Sequence, residues 1–132
     1  MRGLLEEADF DLENDREKVL RRLSVNDNML CHLIDSRQAA ACWLKENIAL
    51  LDGKEKEALG RIAANCQKIA DMALTFREKV GRLSTCEIQY NTICFFGADT
   101  PALRREQAKL LGAALKLEEE SSNLAGGILE ME

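Results

Sequence analysis

Few residues in this sequence could act in catalysis or metal binding, and three of them, Cys31, His32 and Asp35, lie close together. A histidine next to a thiol and one helical turn from a carboxylate could activate a nucleophile or bind a metal ion. On a helix, however, Cys31 and His32 point about 100° apart. His32 is the only histidine, so the paired Glu-x-x-His motifs of a di-iron bundle cannot form. We interpret His32 as a boundary or surface residue.

Phosphotransfer is the remaining enzymatic hypothesis, because histidine-phosphotransfer domains are helical bundles of similar length. They resemble one another in a His-x-x-Lys-Gly stretch, whereas His32 is followed by Leu33-Ile34-Asp35-Ser36. An acid therefore replaces the lysine that would support the phosphate, and this reading ranks third. We interpret the acidic run Glu118-Glu119-Glu120 as a solvated helix face rather than a metal site. The sequence predicts no enzyme, no cofactor and no metal site.

Length and composition indicate one helical domain. The chain has 132 residues, of which 46% are apolar and 31% are charged, a composition typical of globular or coiled-coil proteins. Its single proline leaves long spans free for helices. The net charge of -5, with basic and acidic residues interspersed, argues against a nucleic-acid partner, which requires a clustered basic surface.

Neither a targeting signal nor a membrane span is predicted. Acidic residues begin at Glu6, so we expect no apolar segment of a secretory signal, and no apolar run approaches the ~20 residues of a membrane helix. We therefore expect a cytoplasmic protein. Its five cysteines form no CxxC motif, and we interpret them as reduced, buried, small hydrophobic residues. These are Cys31, Cys42, Cys66, Cys86 and Cys94.

Apolar spacing predicts a first helix over about residues 12–51. It begins between Asp9 and Asp15, where acidic residues favour the positive end of the helix dipole. The segment Ser24–Asn28 could break it, since these side chains compete for backbone hydrogen bonds, but we favour a continuous helix. Gly53, after the last apolar residue Leu51, predicts the helix end.

A second helix is predicted over about residues 54–96. Its stripe alternates steps of three and four residues, which is typical of coiled-coil-like packing. The stripe comprises Leu59, Ile62, Cys66, Ile69, Ala73, Phe76, Val80 and Leu83. The box Ser84-Thr85-Cys86-Glu87 could open a separate helix; we favour one helix to about Phe96.

The third helix is predicted over about residues 101–128, with Thr100 as cap and Pro101 at the first position. Its stripe is lighter, and Gly126-Gly127 should loosen its end at about 1 kcal/mol per glycine relative to alanine. The stripe comprises Leu103, Gln107, Leu110, Ala114, Leu117, Ser121, Leu124 and Ile128. Together the three segments predict an all-α fold, an elongated antiparallel three-helix bundle that leaves some apolar surface uncovered.

Two stretches resemble the FlgN family of flagellar export chaperones. That family has a helix bearing Glu, a short turn with glycine and an acid, and a helix with spaced leucines. Here the matching residues are Glu46, Leu50, Leu51, Asp52, Gly53, Leu59, Gln67 and Arg77. The third helix resembles the family's last helix, in which heptad leucines lead to asparagines and a final aliphatic pair. Here these residues are Asn123, Leu124, Ile128 and Leu129.

The resemblance implies a chaperone that binds the helical C-terminal segments of hook-filament junction proteins before their type III export. Such binding covers an apolar stripe with an amphipathic partner helix. The expected partner-binding residues are Leu110, Leu117, Asn123, Leu124, Ile128 and Leu129. For Leu110 and Leu117, packing within the chain's own bundle is an equally good reading. The main alternative function is a self-associating coiled-coil scaffold or adaptor, and a homodimer stays open under either reading.

Overall fold

The part of the chain that the structure describes forms three α-helices that pack together, so the predicted all-α three-helix bundle is confirmed. The computed structural model describes residues 16–80 and 101–130, with side chains over 25–79 and 102–130. Helix α1 spans Arg16–Ile48, α2 spans Gly53–Val80 and α3 spans Pro101–Glu130. The predicted start of α1 before residue 16, the extension of α2 to Phe96 and the box at Ser84 lie outside the described residues.

Helix α1 continues without a break through Ser24–Asn28. The polar side chains in this stretch find partners on the other helices instead of competing for the backbone of α1. Asn26 exchanges two hydrogen bonds with Gln107 of α3, at 2.8 and 2.7 Å. Asp27 accepts two from Arg77 of α2, at 2.9 and 3.3 Å. Tertiary partners therefore remove the local competition that could have ended the helix.

A short turn over residues 49–52 connects α1 to α2. It is closed by two backbone hydrogen bonds, from Leu50 N to Asn47 O at 3.2 Å and from Leu51 N to Ile48 O at 3.0 Å. Gly53 has φ of 65°, the left-handed conformation predicted from its position. Helix α1 ends at Ile48 rather than Leu51, because these turn bonds take over before the last apolar residue.

The central helix of the bundle is α2, which packs along both α1 and α3. Within the described residues, the backbones of α1 and α3 approach each other far less, and long side chains join them. These are the Asn26–Gln107 amide pair and the Arg37–Glu118 ion pair. Both pairs link residues 81 positions apart, so α1 and α3 run parallel and α2 runs antiparallel to them.

The core is narrow and lies around α2. Leu30, Ile34, Ala73 and Phe76 form its buried cluster. Leu33, Leu74, Leu103 and Leu110 pack against this cluster. Among the residues whose side chains are described, Ile69 is the largest that is fully buried, and Ala63 and Ala70, beside the predicted stripe, are also buried. The buried surface of α2 is therefore wider than one heptad stripe, because the helix has a neighbour on each side.

Candidate protein-binding surface

Polar contacts on two sides fix the rotation of the C-terminal half of α3. Glu118 pairs with Arg37 of α1, and Ser121 accepts a hydrogen bond from Asn65 of α2 at 3.2 Å. Glu120 pairs with Arg61, also on α2. Because contacts to both neighbours occur within one helical turn, they determine which residues of α3 turn toward solvent.

The rotation of α3 determines which residues of the acidic run Glu118-Glu119-Glu120 are exposed. Glu119 is exposed, but Glu118 and Glu120 are half-buried and paired with arginines of two different helices. Glu119 therefore fits the predicted solvated face fully, whereas Glu118 and Glu120 are only partly solvated. Over 16–80 and 101–130, no group of three or more histidine, cysteine or carboxylate side chains could hold a metal ion.

The predicted partner-binding residues divide into two groups. Leu110 packs against the core cluster, and Leu117 is half-buried, beside the ion-paired Glu118. Toward the end of α3, Leu124 and Ile128 are half-buried, whereas Asn123 is exposed and Leu129 is 71% exposed. The accessible apolar surface of the predicted set therefore lies in the last two turns of α3.

A groove between α2 and α3 begins beside this surface. It has a volume of about 520 Å³, and it is lined by Arg61, Lys116, Glu119, Glu120, Asn123 and Leu124. Both signs of charge therefore stand on its rim, and Leu124 supplies an apolar wall. We call Asn123, Leu124, Ile128 and Leu129 the α3 end surface.

Helix α3 continues through Gly126 and Gly127 to Glu130. A Cβ atom added at either glycine would meet nothing within 4 Å, so no close contact requires glycine there. The glycines thus lower the intrinsic helix propensity of this end without serving its packing. At the same time they keep the surface around Leu129 open.

Large exposed hydrophobic residues also occur where the sequence reading did not place a site. They are Val25 (64% exposed), Trp43 (63%), Leu50 (83%) and Leu115 (59%). None of the four belongs to a predicted apolar stripe. Leu50 was named only among the residues that carry the family resemblance. In the sequence, these residues could have been noticed because they are large apolar side chains outside the predicted core stripes. One of them, Trp43, is the only tryptophan.

Three of the cysteines lie among the described residues, and all three are free thiols. Cys31 and Cys66 are half-buried, but Cys42 is exposed, so the prediction of buried cysteines was wrong for Cys42. Burial raises the pKa of the Cys66 thiol, the negative charge of Glu118 raises it further, and Arg37 opposes the shift. Cys86 and Cys94 lie outside the described residues. His32 is exposed, as predicted.

None of the described helices is both long and apolar enough to cross a membrane. No family model, no curated protein and no solved structure matches the chain.

Proposed function

We propose that this protein is a cytoplasmic export chaperone without enzymatic activity, which binds helical C-terminal segments of hook-filament junction proteins before type III secretion. The α3 end surface supports this proposal. Leu129 is 71% exposed, and Leu124 and Ile128 are half-buried. An apolar surface at the end of a helix suits an amphipathic partner helix. The choice of flagellar cargo comes from the resemblance of the sequence.

The chemistry of the α3 end surface indicates how a partner helix would bind. Its apolar stripe would cover Leu124, Ile128 and Leu129, which removes apolar area from water at about 25 cal/mol per Å². The exposed amide of Asn123 can both donate and accept hydrogen bonds at the rim. Arg61 and Glu119 on the neighbouring groove offer charges of either sign to polar residues of the partner.

Leu110 contributes to this proposed site from within the bundle. Its packing against the core cluster fixes α3 on α2, and the proposed contact surface begins about four helical turns later. Truncating Leu110 would therefore weaken binding through the position of α3, whereas changes at Leu124 or Ile128 would act on the contact itself.

The test is a titration of the purified protein with synthetic peptides that carry the C-terminal segments of hook-filament junction proteins. The double substitution Leu124→Asp with Ile128→Asp should weaken binding at least about tenfold, because two carboxylates would lose hydration under an apolar partner face. Isothermal titration calorimetry measures the affinity. Far-UV circular dichroism checks that the helical content is retained.

A matched control adds two carboxylates elsewhere on α3. Ala102→Asp with Ala113→Asp changes two exposed positions outside the α3 end surface and should leave the affinity unchanged. Equal affinity of the Leu124/Ile128 variant and the wild type would assign binding to another surface. Failure of the wild type to bind any of the peptides would overturn the proposed function, and a stable dimer in that case would favour the scaffold.

A further inference from the structure

The exposed large hydrophobic residues are unevenly distributed around the bundle. Within the described part of the chain they lie on α1, on α3 or in the turn after α1, and none lies on α2. The exposed side of α2 is polar, as in an ordinary surface helix. It carries Arg61, Lys68, Asp71, Thr75 and Glu78. The apolar exposure therefore belongs to the side of the molecule formed by α1 and α3.

The interhelical contacts show where these residues point. On α1, Asp27 faces α2 while Asn26 and Arg37 face α3. With about 100° per residue, Val25 and Trp43 share one direction, five helical turns apart, and it points away from α2. On α3, Glu118 faces α1 and Ser121 faces α2.

Leu115 completes this surface from α3. The same helical periodicity turns Leu115 away from α2, to the side on which Val25 and Trp43 lie. These three residues define a surface that we call the α1–α3 face. It lies on the side of α1 and α3 that is turned away from α2.

The spacing along this face is symmetric. The pairs Asn26–Gln107 and Arg37–Glu118 set a register of 81 residues between the parallel helices. Leu115 is therefore level with Ile34, which lies midway between Val25 and Trp43. At 1.5 Å per residue, each of these two is about 13 Å from the level of Leu115.

We propose that the α1–α3 face binds the same face of a second copy of this chain, antiparallel and related by a two-fold axis at the level of Leu115. Such an isologous contact must be self-complementary. The axis sets Leu115 against its own equivalent. It also sets Val25 of each copy against Trp43 of the other, so a small and a large apolar side chain meet at both ends.

Charge favours the antiparallel orientation. The start of α3, at one end of the bundle, is basic and carries Arg104 and Arg105. The opposite end carries exposed Glu46 and Glu130. The two-fold axis places the basic start of α3 in one copy beside the end of the other copy that carries Glu46 and Glu130. A parallel arrangement would instead bring like charges together, which costs free energy.

The size of the face suits a stable contact. With the register of 81 residues, α1 and α3 overlap over about 43 Å and are together about 20 Å wide, which gives a footprint of roughly 860 Å² per copy. A standard protein interface buries about 800 Å² per partner. The contact also covers Trp43 and Leu115, which a single copy leaves exposed.

Two measurements on the full chain test the proposal. Analytical ultracentrifugation should show a mass that doubles as the concentration rises. Trp43 is the only tryptophan, so its fluorescence reports on this face alone: emission should shift to longer wavelength on dilution, when the copies separate. A monomer at every concentration overturns the proposal, and so does a dimer whose Trp43 emission does not change on dilution.

Leu115 provides the sharper test, because the two-fold axis places it against itself. Leu115→Glu and Leu115→Lys, each alone, should raise the dimer dissociation constant at least about tenfold, since two like charges meet. An equimolar mixture should associate again as a heterodimer. Thr75→Glu, on the exposed side of α2, is the control and should dimerise like the wild type.

These outcomes distinguish loss of the proposed contact from loss of folding. Circular dichroism must show the same helical content in all variants, and association of the mixture itself demonstrates that both are folded. If either Leu115 variant alone still dimerises, the contact lies elsewhere. If the mixture stays monomeric, Leu115 does not lie on the axis and the proposed symmetry is wrong.

Discussion

At the scale of single residues, the interior of this bundle is specified by polar pairs as much as by apolar ones. Asp27, Asn65 and Gln107 are buried, and each is hydrogen-bonded to a side chain of a different helix. A buried polar group without a partner costs roughly 1–3 kcal/mol. A shift in the register of the helices would separate these polar pairs. The polar pairs therefore disfavour such a shift more strongly than the core alanines do, because one alanine can take the place of another.

These residues also show which contacts could not be predicted from the sequence. Asn26 lies in the segment Ser24–Asn28 that could have broken α1, and Gln107 and Ser121 belong to the lighter stripe of α3. The structure instead uses Asn26 with Gln107, and Ser121 with Asn65. Each residue type was visible in the sequence. Its partner was not, because pairing across 56 or 81 residues depends on a register that periodicity alone does not set.

Cys66 gives a prediction at this scale. Burial and Glu118 raise the pKa of its thiol, so at pH 8 it should react with iodoacetamide more slowly than the exposed Cys42. Peptide mass mapping of timed samples measures both rates. In denaturant the two rates should converge. A native Cys66 that reacts as fast as Cys42 would contradict the burial.

The same shift has a consequence for stability. The folded state holds the Cys66 proton to a higher pH than the unfolded state, in which the thiol has its ordinary pKa of about 9.0. Between these two pKa values the unfolded state binds fewer protons, so the free energy of unfolding falls as the pH rises. The contribution of Cys66 is complete below pH 9.0 and decreases above it. Cys66→Ala should reduce this alkaline loss.

At the scale of elements, the existence and order of the helices followed from the sequence. Gly53 and Pro101 marked two boundaries, and three-four spacing marked the segments between them. The end of α1 was less predictable, since Leu51 continues the apolar spacing while the backbone already turns after Ile48. For the candidate site, Leu124 and Ile128 could be named in advance. Trp43 and Leu115 could not, because their role depends on which side of α1 and α3 the bundle leaves open.

Replacing either of two glycines by alanine gives a pair of predictions about the stability of the helices. Gly53 has φ of 65°, and alanine in that conformation costs about 1 kcal/mol or more, so Gly53→Ala should lower the free energy of unfolding. Gly60 lies inside α2, where an added Cβ meets nothing within 4 Å. Gly60→Ala should therefore raise the free energy of unfolding by up to about 1 kcal/mol.

Urea denaturation measures both changes, and each variant serves as the control for the other. Opposite signs would show that backbone conformation decides the effect of the substitution. A loss of stability in Gly60→Ala would indicate a contact at that position which the structure does not contain.

At the scale of the whole molecule, the proposed dimer predicts a shape. Helix α1 has 33 residues and is therefore about 50 Å long at 1.5 Å per residue. The proposed axis lies near its middle, so two antiparallel copies would overlap over almost their full length. Small-angle X-ray scattering should show a doubled mass with little change in the maximum dimension. A nearly doubled dimension would indicate end-to-end association and contradict contact through the α1–α3 face.

The central position of α2 also orders the assembly of the fold. Helices α1 and α2 are joined by the four residues 49–52, so their pairing closes a short loop and costs little chain entropy. Helix α3 must instead find contacts up to 81 residues away. A nascent chain can therefore form the α1–α2 hairpin while α3 is still being synthesised. In the finished protein, α3 is the unit that can detach as a whole and leave a folded hairpin behind.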